Sequence, residues 1–310
     1  MNLEDLPRED RPSELDRYGP VFVLGCPRSG TTFLSQCLSA LPGAREFVGV
    51  LAPPRLMHLI ARPISDPLRD QLLACIRDIF WLTFIHRVFR RSERLMLLAQ
   101  RRIEFSEFWS RPSLEGKLFV YKEPFLCFAA EHLAENFPND KFIQIYRDGR
   151  DNADSMIRTY PDALSDEVLS SGLLSFNKVS EIGSWRTVNG FNIPWWVPQA
   201  EEHLFREMSR FGRYLRLWRE MTERARSLVR VLPRSRVLEL KYEEFVQNPV
   251  VHGERLRAFL GAPSSAKFVK TLKRAQTRSI GISRRTQSDA RRQEAELIAG
   301  TLLRDLGYSA

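Results

Sequence analysis

The sequence predicts an α/β fold: a single domain with a central, mostly parallel sheet flanked by helices. Short apolar runs rich in Val, Ile, Phe and Tyr alternate with longer segments of helical periodicity. Each apolar run is brief and flanked by polar or turn residues, as in strands that are buried on both faces of a parallel sheet. A glycine-bearing turn joins the first run to the first helical segment. This alternation favours parallel strands connected by crossover helices.

The predicted elements follow one another along the chain. The strands are 21–24, 46–50, 118–121, 142–146 and 237–240. The helices are 31–41, 70–100, 126–136, 151–160 and 202–231.

Residues 1–19 read as a polar N-terminal tail, and the predicted domain occupies residues 20–310. Two segments interrupt its alternation: a basic, aromatic-rich helical insertion at about 70–111 and a tryptophan-rich insertion at about 170–198. Insertions above the carboxyl edge of a sheet commonly form substrate lids, and peripheral packing is an equal alternative. Peripheral membrane contact by the first insertion is a weaker alternative, because its charges are not confined to one helical face.

The formal net charge of +9 suits an anionic partner such as a nucleotide or a phospholipid. The arginines are scattered and form no long basic run, which argues against nucleic acid. The N-terminus lacks the features of a secretory signal, and the most apolar stretch, 79–85, is too short to span a bilayer. The four cysteines show no C-x-x-C spacing and suit reduced thiols, so we expect a cytoplasmic protein.

The turn after the first strand reads GCPRSGTT over residues 25–32. It nearly matches the P-loop pattern G-x-x-x-x-G-K-[ST], in which backbone N–H groups and a helix start hold phosphate. Its two glycines permit a tight turn and the close approach of an anion. The residues whose hydroxyl and guanidinium groups add further donors are Arg28, Ser29, Thr31 and Thr32.

Thr31 stands where the P-loop has its lysine. In kinases and ATPases that lysine and Mg²⁺ neutralise charge on the β- and γ-phosphates. A threonine supplies no cation, so a transferred group of lower charge than a γ-phosphoryl group fits this loop better. A sulfuryl group, with three oxygens and one negative charge, is such a group, and a site for it has no need of a metal.

Residues 141–158 read KFIQIYRDGRDNADSMIR, which predicts a strand, a turn and a helix. Arg147 lies at the end of the strand and Ser155 lies two turns into the helix, so a guanidinium and a hydroxyl can meet at a second anion. Two alternatives stay open. Asp148 is either a Walker B aspartate that binds Mg²⁺, or one of several acidic residues that only cap the helix.

These two stretches resemble motifs of the sulfotransferases that use 3′-phosphoadenosine 5′-phosphosulfate (PAPS). The motifs are the PRSGTT loop for the 5′-phosphosulfate and R-D-x-R-x-x-x-x-S for the 3′-phosphate. Three further matches follow in the order of the family: YKEP at 121–124, LELKYEEFVQNP at 238–249 and LLRDLGY at 302–308. Together the matches extend from residue 21 to residue 308.

The resemblance implies an α/β domain related to P-loop kinases, with PAPS as co-substrate and no metal. It implies that Lys122 lies near the transferred sulfuryl group and, with Arg28, stabilises charge on the bridging oxygen. Tyr242 is implied as a contact for adenine, with simple packing an equal alternative. The implied ligands of the 5′-phosphosulfate are Arg28, Ser29, Gly30, Thr31 and Thr32, and those of the 3′-phosphate are Arg147 and Ser155.

The resemblance does not fix the catalytic base. The acceptor hydroxyl must lose a proton as it attacks, so a Glu or His within hydrogen-bond reach is expected. Cytosolic members of the family have a histidine two residues after the lysine, where this chain has Pro124. Other members have a glutamate after the second strand. The candidates here are Glu46, a few residues early, and His58 on the next predicted helix, and a role outside catalysis is the alternative for each.

We therefore expect a PAPS-dependent sulfotransferase that acts on a hydroxyl of a small-molecule, lipid or carbohydrate acceptor. One alternative is a P-loop nucleotide kinase with a degenerate loop, which predicts Mg²⁺-dependent ATP binding. The other is a non-catalytic nucleotide-binding module, which predicts donor binding without turnover.

Overall fold

The computed structural model describes residues 20–46, 52–89, 95, 98–99, 105, 118–170, 185–286 and 288–308. These residues include a five-stranded sheet in the order β2-β3-β1-β4-β7, in which all neighbouring strands are parallel. Its strands are β1 (Val21–Leu24), β2 (Ala44–Glu46), β3 (Leu118–Lys122), β4 (Lys141–Tyr146) and β7 (Val237–Lys241). An antiparallel hairpin is formed by β5 (Trp185–Val188) and β6 (Phe191–Pro194). The predicted parallel α/β fold is confirmed.

Helices connect and follow the strands. The first six are α1 (Thr31–Ser39), α2 (Ala52–Ile60), α3 (Asp66–Phe89), α4 (Ala130–Asn136), α5 (Gly149–Thr159) and α6 (Asp166–Ser170). The remaining ones are α7 (Glu202–Glu207), α8 (Arg210–Val231), α9 (Tyr242–Gln247), α10 (Pro249–Leu260), α11 (Ala266–Leu272), α12 (Ser283–Thr286) and α13 (Asp289–Asp305). In the part of the chain that is described, no helix combines the length and apolar character that crossing a bilayer requires.

Both faces of the sheet are buried, because strand side chains alternate between two apolar clusters. Phe22 and Leu24 face the cluster covered by α8, and the Phe22 ring stacks on Phe142 with centroids 5.2 Å apart. Val21 and Val23 face the opposite cluster, which contains apolar residues of α1, α9 and α11. The strands therefore read as nearly continuous apolar runs.

Several predicted element boundaries are wrong. Helix α3 begins at Asp66 rather than 70, and α4 begins at Ala130 rather than 126. The predicted helix 202–231 is two helices, because Met208 is extended and the Ser209 hydroxyl caps α8 by accepting the Gly212 N–H at 3.1 Å. The second strand already includes Ala44, two residues before its predicted start, and residues 47–50 lie outside the described part.

The tryptophan-rich segment is described from residue 185 onward. Asn189 and Gly190 both have positive φ and form the hairpin turn between β5 and β6. Trp195 and Trp196, which follow the hairpin, are buried, and the Trp195 ring centroid lies 4.9 Å from that of Phe128. These tryptophans are packed into the core of the domain. Residues 1–19, 90–94 and 171–184 lie outside the described part.

Candidate functional site

The two predicted anion loops meet at the carboxyl edge of the sheet. One loop follows β1 and the other follows β4, and these strands are direct neighbours with Leu24 paired to Gln144. Carboxyl edges of parallel strands are where open α/β folds bind their ligands. The fold therefore places the loops side by side, although they are more than a hundred residues apart in the sequence.

The loop at 25–32 has a backbone that only glycine suits at two positions. Gly25 has φ 149°, and a Cβ there would lie 2.3 Å from the Ile145 carbonyl oxygen. Gly30 has φ 94°, and its Cβ would lie 2.5 Å from Cδ2 of Tyr242. Helix α1 begins directly after Gly30, and the first N–H groups of a helix have no acceptor within it. Those N–H groups and the helix dipole form a cradle for an anion.

A buried asparagine braces this loop. Asn152 of α5 donates from Nδ2 to the Pro27 carbonyl at 2.9 Å and to the Ser29 hydroxyl at 2.8 Å. Its Oδ1 accepts from the Cys26 thiol at 3.6 Å, and Asn152 is fully buried. Since the Ser29 oxygen accepts from Asn152, its own proton points elsewhere. Sequence reasoning missed Asn152, although it lies within the second motif.

Arg28 joins the two loops directly. Its Nε donates to the Ser155 hydroxyl at 3.1 Å, and its carbonyl oxygen accepts from Nη1 of Arg147 at 3.3 Å. Arg28 is exposed and has φ 69°, a left-handed conformation that is uncommon for a residue with a side chain and that occurs often at functional sites. The structure thus brings together Arg28, Arg147 and Ser155.

Arg147 is held almost wholly inside the protein. Its side chain is 4% exposed, its guanidinium lies 5.0 Å from the centroid of the Tyr242 ring, and Nη2 lies 3.5 Å from Asp151. Nη2 also donates to the Ser279 carbonyl. Among the described residues, no acceptor satisfies the buried Nε. A buried charged donor left unpaired is costly, so this nitrogen fits a ligand such as a phosphate oxygen.

The Asp148 carboxylate is occupied by a neighbouring arginine. Arg150 donates from Nε to Oδ1 at 3.0 Å and from Nη2 to Oδ2 at 2.8 Å, and Oδ1 also caps α5. This bidentate contact disfavours the interpretation of Asp148 as a Walker B ligand of Mg²⁺, because both carboxylate oxygens already face the Arg150 guanidinium.

The turn after Arg147 is anchored by the C-terminal segment. The Asp148 N–H donates to Oε1 of Glu243 at 3.0 Å, and the Tyr308 hydroxyl donates to Oε2 at 2.8 Å. Burial raises the pKa of Glu243 and that of Tyr308. We call Asp148, Glu243 and Tyr308 the Tyr308 relay. It gives the LLRDLGY match at 302–308 a physical connection to the second anion loop.

A loop from the C-terminal third closes the site. Asp151 accepts the N–H groups of Gly281 and Ser283 at 2.6 and 2.8 Å. The Tyr242 and Ser279 hydroxyls lie 2.8 Å apart, so Tyr242 connects this loop to Gly30 and Arg147. No motif signalled the loop, because its partners lie about 130 residues earlier in the sequence.

The candidate catalytic residues lie on or near the edge of the sheet. Lys122 ends β3 and pairs with Val23 of β1, so it reaches the same carboxyl edge as the first loop. It is half-buried, and among the residues described here it makes no ion pair. Glu46 pairs through its backbone with Val120, and its side chain lies outside the described set. His58 on α2 is half-buried, with its ring centroid 6.3 Å from that of Trp195.

Comparisons with known proteins find one family and several similar folds. Residues 20–170 match the family model described as the Sulfotransferase family. The sulfotransferase domain of the Synechococcus PCC 7002 olefin synthase has a similar fold, with TM-score 0.51, 15% identity, and 94% of this chain and 95% of that chain covered. A search of curated protein sequences found no match.

Two further solved structures are similar over most of their length. Sulfotransferase STF9 from Mycobacterium avium matches with TM-score 0.45 and 14% identity, covering 97% of this chain and 82% of that chain. Mouse sulfotransferase SULT7A1, crystallised in complex with PAP, matches with TM-score 0.47 and 14% identity, covering 97% of this chain and 91% of that chain.

Proposed function

Through residues 20–170 the chain belongs to the sulfotransferase family, and from that premise we propose that it transfers the sulfuryl group of PAPS to a hydroxyl of a small-molecule, lipid or carbohydrate acceptor. The acceptor oxygen forms a bond to sulfur as the bond to the bridging oxygen breaks, and the hydroxyl proton passes to a base. The products are a sulfate ester and adenosine 3′,5′-bisphosphate (PAP).

One observation carries this proposal: the two anion loops are joined into a single site by Arg28. Its guanidinium contacts Ser155 and its carbonyl contacts Arg147. A donor with phosphate groups at both the 5′ and 3′ positions needs two such loops, whereas ATP needs only one. The residues proposed for the 5′-phosphosulfate are Arg28, Ser29, Gly30, Thr31 and Thr32, and those for the 3′-phosphate are Arg147 and Ser155.

Calorimetric titration separates the proposal from a nucleotide kinase. We expect PAP to bind without Mg²⁺ and more tightly than ATP, with or without Mg²⁺. Mg²⁺-dependent ATP binding without PAP binding would support the kinase. Transfer of radiolabel from PAPS to a panel of hydroxyl acceptors then separates an enzyme from a binding module, which would bind PAP and transfer nothing.

We propose that Glu46 or His58 takes the proton of the acceptor hydroxyl. A general base works only when deprotonated, so kcat should fall as the pH drops below its pKa in the complex. Replacing the base should lower kcat about 10²- to 10⁴-fold and remove the fall of kcat at low pH. The pH–rate profiles of Glu46→Gln and His58→Ala test this, each variant serving as the control for the other. If kcat still fell at low pH in both variants, the base would be another group.

Ser155→Ala should raise the Kd for PAP about ten- to a hundredfold, which corresponds to roughly 1.5–3 kcal/mol. The substitution removes a hydroxyl that would donate to the 3′-phosphate and that now accepts from Arg28. Thr159→Val is a matched control, because Thr159 lies one turn further along α5 and its hydroxyl donates to the Ser155 carbonyl. Titration should show that Thr159→Val binds PAP with an affinity close to that of the wild type. An unchanged Kd in Ser155→Ala would refute the assignment.

Tyr308→Phe should weaken PAP binding about three- to tenfold, or roughly 0.6–1.4 kcal/mol. The relay loses the hydroxyl that holds Glu243, which in turn holds the Asp148 N–H. A stability loss of about 1–3 kcal/mol should accompany it, because the buried Glu243 oxygen is left unpaired.

Tyr214→Phe is the control for the stability loss, because the buried Tyr214 hydroxyl donates to the Tyr160 carbonyl away from the relay. Urea unfolding and PAP titration should show that both variants lose stability, while only Tyr308→Phe loses affinity. Equal affinities would mean that the relay supports folding alone.

A further inference from the structure

One short segment of the chain has basic residues and no acidic residue to balance them. Residues 262–288 contain seven basic residues and no acidic residue, so they carry +7 of the formal net charge of +9. All seven side chains are exposed, and none forms an ion pair within the described part of the chain. They are Lys267, Lys270, Lys273, Arg274, Arg278, Arg284 and Arg285. We call this set the cationic track.

Several arginines elsewhere in the chain are paired with acidic residues. On α8, Arg216, Arg219 and Arg224 each pair with a glutamate. The charge on the cationic track is therefore neither scattered nor compensated. Uncompensated like charges within one short segment repel each other, so their concentration suggests an anionic partner.

The track leads to the proposed donor site. Helix α11 begins beside the end of α1, where the Ser265 hydroxyl donates to the Ala40 carbonyl at 3.2 Å. Its buried face, Phe268 and Leu272, joins the apolar cluster that includes α1 residues. The helix is about 10 Å long at 1.5 Å per residue, and it ends shortly before the loop at Ser279 that contacts Arg147 and Tyr242.

We propose, on the basis of the proposed function, that the cationic track steers the donor nucleotide into its site. PAP carries roughly three to four negative charges at neutral pH, since each phosphomonoester contributes about −1.5 to −2. Charged surfaces beside a binding site raise association rates by about 10- to 10³-fold at low ionic strength. Lys267, in the first turn of α11, and Lys270, in its last turn, act at a distance on the approaching ligand and do not contact it once it is bound.

The test is stopped-flow binding of PAP to the full chain and to Lys267→Glu/Lys270→Glu. At about 10 mM salt, where the screening length is about 30 Å, we expect kon to fall about three- to tenfold and koff to change less than twofold. In about 1 M salt, where the screening length is about 3 Å, the difference should vanish. The matched control is Arg230→Glu/Arg234→Glu, which makes the same charge change at exposed residues near the start of β7, the opposite edge of the sheet.

Each result has a definite meaning. An unchanged kon in the lysine variant, or an equal fall in the control, would overturn the proposal, as would a faster koff, which would indicate direct contact. Loss of binding to phosphatidylserine vesicles with unchanged kon would make the track a membrane contact instead. If the wild-type chain bound no PAP, the proposed function itself would fail, and that result is distinct from wild-type binding with an unaltered kon.

Discussion

Lys122→Ala should lower kcat about 10²- to 10³-fold while changing the Kd for PAP less than about tenfold. Lys122 is placed at the carboxyl end of β3, next to the strand that leads into the first anion loop. Its ammonium is proposed to act on the oxygen that gains charge as the bond to sulfur breaks. A contact that strengthens during the reaction affects turnover more than ground-state binding.

Two lysine variants make this result specific. Lys122→Arg keeps the positive charge but changes its shape and reach, and it should retain more activity than alanine. Lys141→Ala removes a lysine from the opposite end of the same sheet, where Nζ donates to the Phe259 carbonyl at 2.5 Å, and should leave kcat unchanged. Single-turnover transfer from radiolabelled PAPS measures the chemical step. Poor donor binding with normal turnover at saturation would contradict the proposed role.

The sheet was predictable because its signal is local. Four predicted strands lie within one residue of the observed ones at each end, since each is an apolar run buried on both faces. The exception is the edge strand β2, which reads Ala-Arg-Glu and is fixed by pairing with β3 rather than by an apolar run. Its boundary depends on a tertiary contact that no short window of sequence contains.

Two missed features had readable local signals. The Asn189-Gly190 pair is a typical turn of a two-residue hairpin, and it connects β5 to β6. Ser209 is a good helix N-cap, and it separates α7 from α8 inside what reads as one continuous helical pattern. Periodicity alone does not reveal an interruption of only two residues, Met208 and Ser209.

The candidate site was predictable only in its two loops. Their residue types follow from the chemistry of holding anions, and the strand order then brings Arg28 and Ser155 into contact. The supporting contacts were not predictable. Tyr308 meets Glu243 across 65 residues, and Ser283 meets Asp151 across 132. Such contacts depend on the packing of the whole chain, which no pattern near either residue encodes.

Arg147→Gln should raise the Kd for PAP by roughly thirtyfold or more, since loss of a buried charge that pairs with a ligand costs about 2–5 kcal/mol. The binding of AMP, which has no 3′-phosphate, should change far less. The reason is the position of the guanidinium: it is buried against Tyr242 and tied to Asp151, with Nε left without an acceptor in the described structure. The ratio of the two affinities is the measurement, because general damage to the loop would lower both.

Arg213→Gln provides the matched control for removal of a buried arginine. Arg213 is 1% exposed and pairs with Asp166 at 2.7 Å, and its other hydrogen bonds go to backbone carbonyls outside both anion loops. It should lose stability but keep the wild-type ratio of PAP to AMP affinity. A fall in both affinities by the same factor in Arg147→Gln would show that Arg147 only supports the loop through the Arg28 carbonyl.

A double variant tests whether Arg147 and Ser155 hold the same group. Residues that bind one phosphate together are coupled, so Arg147→Gln/Ser155→Ala should cost less PAP affinity than the sum of the two single changes. Independent sites would give additive losses. Arg28 contacts both residues and could couple them without any ligand phosphate. The same two single variants and double variant are therefore also measured with AMP, and the coupling found with AMP is subtracted from that found with PAP. Coupling that appears with PAP and is absent with AMP identifies the 3′-phosphate as the shared ligand.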